Sequence, residues 1–191
     1  MKKIAFAVAS VLTVFCSVPA QAGTVWASNG HEYEVFTAEG ITWNDARTAA
    51  QGLGAGWDLA TITSAAENSF VTGLLPATNS VPLWSYFWLG GTDLESEGTW
   101  TWVTGESFAY TNWYPGEPNN WQDEDYLVYI TDNSAWSWND SVVGGWGNVK
   151  GYIAERHASN QAGGSIPEPA SLALLGLGLV GLGAIRRNRR N

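Results

Sequence analysis

The run HEYEVF, His31 to Phe36, alternates polar and apolar side chains, the period of a half-buried strand. In ITWNDARTAAQGLG the pattern changes. Thr42 is placed to cap a helix whose first turn holds Asp45, and Gly52 and Gly54 are placed to end it, so a first helix is expected from Trp43 to Gln51. After the short apolar run LATI, Ser64 and Glu67 have capping-box spacing, and SAAENSFVTGLL reads as a second helix. Beyond Pro76 the chain breaks into short aromatic-rich pieces, SYFWLGG, GTWTWV, DYLVYI and KGYIAE, separated by Gly, Asn, Asp and Pro; these read as strands and long loops. The order strand, helix, helix, then strands and loops is that of an α+β domain, with no internal repeat.

The two ends follow other rules. Lys2 and Lys3, the apolar IAFAVASVLTVF and the small-residue site Ala20-Gln21-Ala22 form a secretory signal over residues 1–22, so the protein is expected to be exported. Cys16, the only cysteine, lies inside that segment, and the mature chain has no disulfide. At the other end, Pro167-Glu168-Pro169 precedes a Gly/Leu-rich run and the arginines 186, 187, 189 and 190. The apolar run is slightly short of the roughly 20 residues that span a bilayer, and the arginines favour a cytoplasmic C-terminus. Triplet, short span and arginines together resemble the PEP-CTERM sorting signal of bacterial surface and exopolysaccharide-associated proteins. That resemblance implies a membrane-anchored precursor, then cleavage by an exosortase-type enzyme and release to the cell surface or matrix. An ordinary C-terminal anchor is the simpler alternative. The expected organisation is signal peptide 1–22, domain 23–157, linker 158–165 and sorting signal 166–191.

Charge narrows the partners. Between residues 23 and 165 only Arg47, Lys150 and Arg156 are basic, against all but one of the 18 acidic residues. Such a surface repels nucleic acid and anionic lipid and attracts cations. The 12 tryptophans all lie between Trp26 and Trp146, and most are expected in the core of a domain without disulfides. Trp121 differs: it stands among carboxylates and asparagines with no apolar neighbour in sequence, which favours the surface.

Trp121 belongs to YPGEPNNWQDEDY, thirteen residues with four carboxylates and two asparagines; WSWNDS follows later in the chain. Calcium takes six to eight oxygen ligands from carboxylates, amide carbonyls and water. Glu117, Asn119, Glu124, Asn139 and Asp140 could supply most of that shell, whereas solvated acidic turns are the plain alternative. A cis Glu117–Pro118 bond would turn the chain sharply and aim both flanking side chains at one point. Zinc has no comparable case: the mature chain has no cysteine, and its two histidines, His31 and His157, are far apart in sequence.

The pieces TWNDARTAA, FWLGGTD, EGTWTWV, EPNNWQDEDY, WNDS and YIAER follow one another as in the C-type lectin domain, which the chain resembles from about Trp26 to Arg156. The resemblance implies a C-type lectin-like α+β fold with two helices, antiparallel strands and a long calcium-binding loop region. FWLGG is similar to the family's core strand motif, and EPN and WND to its sugar-binding motifs. It implies a principal calcium site at Glu117, Asn119, Glu124, Asn139 and Asp140, and an auxiliary site at Asp93, Glu97, Asn120 and Asp125. Sugar contacts would come from Glu117, Asn119, Glu124, Asn139 and Trp121. The four usual cysteines are absent: by position they are Ala50 with Ala154 and Tyr126 with Val143. Each missing bridge forgoes roughly 2–4 kcal/mol, so packing and bound calcium must carry more of the stability.

The expected function is calcium-dependent binding of mannose-, glucose- or fucose-type glycans, the choice that Glu-Pro-Asn implies in the family. A calcium-stabilised matrix module without sugar binding is the alternative. A glycosidase using Glu117 and Glu124 is disfavoured, because two carboxylates on one calcium stay ionised and make poor general acids.

Overall fold

Thr42 and Ser64 start the two helices. Thr42 Oγ1 accepts from the Asp45 amide at 3.2 Å, opening α1 (Trp43–Gly52), and Ser64 Oγ accepts from the Glu67 amide at 3.2 Å, opening α2 (Ala65–Thr72). The computed structural model describes residues 23–157, so the expected signal peptide, linker and sorting tail lie outside the described residues. Within them, β1 (Thr24–Val25) and β2 (Glu32–Thr37) precede α1, and β3 (Trp57–Leu59) stands between the helices. After α2 and a 3-10 turn at Thr78–Ser80 come β4 (Tyr86–Thr92), β5 (Thr101–Trp102), β6 (Tyr126–Thr131), β7 (Trp136–Ser141) and β8 (Val149–Arg156). Among the described residues no helix is long and apolar enough to cross a membrane; the short apolar span was expected in the tail, beyond them.

The strands form one sheet in the order β1-β2-β8-β4-β6-β7, with β3 on β8 and β5 on β4. The pairs are antiparallel, as the resemblance implied, except that β4 and β8 run parallel, with Phe87 opposite Gly151 and Trp88 opposite Tyr152. The sheet is therefore mixed. WSWNDS, read from sequence only as a ligand motif, is also a strand: it forms β7, paired along its length with β6 from Tyr126↔Ser141 to Thr131↔Trp136.

The pleat divides the core. Phe87, Leu89, Leu127, Tyr129 and Ile153 pack on one side with Val71 of α2; Tyr86, Trp88, Val128, Ile130 and Ala154 pack on the other with Trp43, Ala46 and Ala50 of α1. Successive residues of β4 and β6 thus face opposite ways and are nearly all buried, as in a sheet covered on both faces. Ala50 and Ala154 share the α1 side, both fully buried, where the family resemblance places a bridge.

Pairing also overrides distance in sequence. Glu32 and Arg156 are direct partners on β2 and β8, so the residues flanking them meet, and the rings of His31 and His157 stack with centroids 4.4 Å apart. Their separation along the chain, which argued against a shared metal, is no barrier in the fold.

Candidate functional site

The long segment between β5 and β6 is laced to β7 before it reaches the acidic residues. Trp138 donates its amide to Asn112 O and accepts from the Tyr114 amide, both at 2.8 Å, while Asn112 Nδ2 donates to Trp136 O at 3.2 Å. The Trp138 ring, fully buried, lies edge-on to Trp102, Tyr110 and Trp113 at centroid distances of 5.6, 5.5 and 5.8 Å. Edge-to-face aromatic pairs contribute about 0.5–1.5 kcal/mol each beyond their burial. This packing fixes the segment beside the residue that immediately precedes Asn139 and Asp140.

From Tyr114 the chain runs through a cis Glu117–Pro118 bond into a loop in which Asn120, Gln122 and Asp123 have φ of 50°, 60° and 71°. Asn and Asp tolerate that left-handed region better than other side-chain-bearing residues. Local hydrogen bonds hold the turn: Asn120 Oδ1 accepts from the Glu124 amide at 2.7 Å, and Asn119 Oδ1 from the Trp121 amide at 2.8 Å. The Asn120 amide donates to Asp140 Oδ2 at 2.7 Å, docking the loop on β7.

The result is an open cavity of about 400 Å3 walled by Glu117, Asn119, Glu124 and Asn139 and by the aromatic rings of Trp84, Tyr114, Trp121 and Trp146. Asp140 lies buried next to Asn139. Four of the five residues expected to form the principal site thus line one cavity, and the fifth is tied to the same loop. Asn119 Nδ2 donates to Glu117 Oε2 at 2.5 Å, and Trp146 Nε1 to Glu124 Oε1 at 2.5 Å.

The electrostatics of this group are unbalanced. Burial, then the neighbouring Asp140, pushes the Glu117 carboxyl above its ordinary range. Burial pushes Glu124 up to about 7 against the lowering effect of the Trp146 indole, with Asp140 and Glu117 adding to the rise. Two oxygens buried here have no partner among the described residues: Asp140 Oδ1, and Asn139 Oδ1, whose own amide nitrogen is committed to Asp140 O at 2.6 Å. Unpartnered buried acceptors among crowded carboxylates fit a hard cation that takes oxygen ligands.

The expected auxiliary set is only partly assembled. One carboxylate oxygen each from Glu97, Asp123 and Asp125 lies within 4.8 Å of the others. Asp93, buried, accepts from the Gly98 amide at 2.9 Å and leaves Oδ1 unpartnered. Asn120 stands in the same loop, its side-chain oxygen accepting from the Glu124 amide. Asp123 was missed in the sequence, although it adjoins Glu124 and Asp125. Trp146 was missed as well. It stacks on Trp121 with centroids 4.7 Å apart, and its setting in GGWGN has the same lack of apolar neighbours that singled out Trp121. Trp121 is 58% exposed, on the surface as its setting suggested.

Comparison with known proteins identifies the family. The Lectin C-type domain model matches residues 39–143, and the PEP-CTERM protein-sorting motif matches residues 165–190. A perlucin-like protein of Mytilus galloprovincialis is 34% identical over 128 residues, covering 66% of this chain and 79% of its own. Lectin BRA-3 of Megabalanus rosa is 32% identical over 132 residues, covering 69% and 75%. The cow C-type carbohydrate-recognition domain of CD23, solved in the presence of a GlcNAc2Man3 oligosaccharide, superposes with a TM-score of 0.60 at 27% identity, over 75% of this chain and 99% of that one. The chain therefore belongs to the C-type lectin domain family and carries a PEP-CTERM sorting motif behind its lectin domain.

Proposed function

We propose that the protein is an exported lectin that binds mannose-, glucose- or fucose-type glycans in a calcium-dependent way at the cavity between the Glu117–Asp125 loop and β7. Glu117, Asn119, Glu124, Asn139 and Asp140 would hold the calcium. The observation that carries this reading is the pair of buried, unpartnered oxygens on Asn139 and Asp140 beside carboxylates that burial and mutual repulsion hold above their ordinary range. When bound, calcium supplies a hard Lewis-acidic centre for sugar hydroxyl oxygens.

The chain's own side chains set the hydrogen-bond pattern around that centre. Glu117 accepts from one hydroxyl, while Asn119 donates its amide N–H to another, so acid before amide defines one arrangement of donors and acceptors. Trp121 and Trp146 present exposed ring faces at the cavity rim for the apolar face of a sugar. Nothing in the arrangement favours a glycosidase: its two carboxylates, Glu117 and Glu124, would both be committed to the cation.

Export by the N-terminal signal, passage through a membrane-anchored precursor and processing by an exosortase-type enzyme at the PEP-CTERM motif would deliver the lectin to the cell surface or to an exopolysaccharide matrix. A sugar array probed with and without EDTA tests the binding claim. Mannose-type spots that vanish in EDTA support it. Calcium binding with no sugar signal would favour the alternative, a calcium-stabilised matrix module.

A further inference from the structure

Tyr86, which lines the sugar cavity, pairs with Val149 at the start of β8. At the other end of that strand, roughly 20 Å away at about 3.3 Å per residue, lies a second polar cluster. Glu155 is 1% exposed; its Oε1 is 2.6 Å from His31 Nδ1 and accepts from Tyr33 OH at 2.9 Å, and its Oε2 accepts from the Thr61 amide at 2.8 Å. Glu67, also buried, takes the same Tyr33 hydroxyl at 2.5 Å. One phenolic proton therefore serves two buried carboxylates, and among the described residues neither pairs with a lysine or arginine. Apart from His31 and His157 beside Glu155, no basic side chain among the described residues offsets these two carboxylates, and buried carboxylates without a compensating charge are costly.

His157 completes the picture. Its Nε2 is shut off from solvent without a hydrogen-bond partner among the described residues, 3.9 Å from Glu155 Oε1 and 3.4 Å from Glu106 Oε2. Ligand atoms from His31, Glu155 and His157 all lie within 4.8 Å of one another. A tetrahedral zinc ion with bonds of about 2.0–2.2 Å holds its ligand atoms roughly 3.3 Å apart. The distances of 2.6 and 3.9 Å to Glu155 bracket that value.

We propose that His31, Glu155 and His157 form a three-residue, zinc-class metal site separate from the Glu117 cavity, with water as the fourth ligand of the ion. Two imidazoles select zinc or a related transition ion over calcium, which takes oxygen. The ion would offset the charge of buried Glu155 and tie the start of β2 to the end of β8.

The test uses the full, untagged chain, freed of metal with EDTA, returned to excess calcium and titrated calorimetrically with zinc chloride. One zinc per chain is expected, unaffected by Asn139→Ala with Asp140→Ala and weakened about tenfold or more by His31→Gln and by His157→Gln. Cobalt titration of the parent chain should give the intense visible bands of a four-coordinate ion, a readout that needs no variant to fold. Absence of zinc heat on the folded chain, undiminished affinity in both histidine variants, or a six-coordinate cobalt spectrum would overturn the proposal.

Discussion

At the scale of single residues, the site depends on which oxygens lack partners. Asp140 illustrates the balance: one oxygen receives the Asn120 amide, the other has no partner among the described residues, and the charge crowds Glu117 and Glu124. Asp140→Ala should abolish the calcium-induced rise in melting temperature while destabilising the calcium-free chain little, because relief of repulsion offsets the lost hydrogen bond. Thermal melts of both proteins with calcium and with EDTA check this. Glu117→Gln combined with Asn119→Asp reverses acid and amide and keeps a full set of ligand oxygens. Preference should move from mannose-type toward galactose-type sugars, as read by calorimetry on both; an unchanged preference in a folded, calcium-loaded variant would place selectivity in the Trp121–Trp146 pair instead.

Among the elements, β7 and the aromatic cluster around Trp138 hold the segment that leads to the site. Trp138→Ala should cost about 3–5 kcal/mol by cavity formation, measured by urea unfolding, and should weaken calcium binding too, since Tyr110 and Trp113 of the segment that leads to the loop pack on that ring. Ala50→Cys with Ala154→Cys, at two fully buried positions of the same core, should close a bridge worth roughly 2–4 kcal/mol, seen as a melting temperature that falls on reduction. Elements built by local chemistry were legible in the sequence: Thr42 and Ser64 act within three residues of themselves, and the alternation of HEYEVF needs only its own strand. Glu67 shows the limit. Its spacing from Ser64 marked the helix start, but its carboxylate reaches Thr63 and Tyr33, contacts that only the fold supplies. The parallel β4–β8 pairing, β7 as a strand and the meeting of His31 with His157 were illegible for the same reason, being set by partners far along the chain. The acidic cluster was legible because its ligand types crowd within a few residues, whereas Trp146 and Asp123 carried signals that were present and unused.

At the scale of the whole molecule, the lectin domain and the sorting motif divide the work. Deleting residues 166–191 should release a lectin that still binds sugar in vitro but no longer passes through an envelope-bound stage. Asn139→Ala with Asp140→Ala should leave processing intact and abolish calcium-dependent retention in the matrix. Fractionation of cells, matrix and medium distinguishes the two. Weak single-site contacts would gain strength where many copies meet one polymer, through effective concentration. All of this depends on one claim, that the oxygens of the Glu117 cavity bind sugar through calcium. The most direct measurement is a calorimetric titration of the full chain with a methyl mannoside, first in excess calcium and then in EDTA. Calcium-mediated binding requires saturable heat in calcium and none in EDTA; equal binding in both, or no binding of mannose-, glucose- or fucose-type sugars by a calcium-loaded chain, would rule it out.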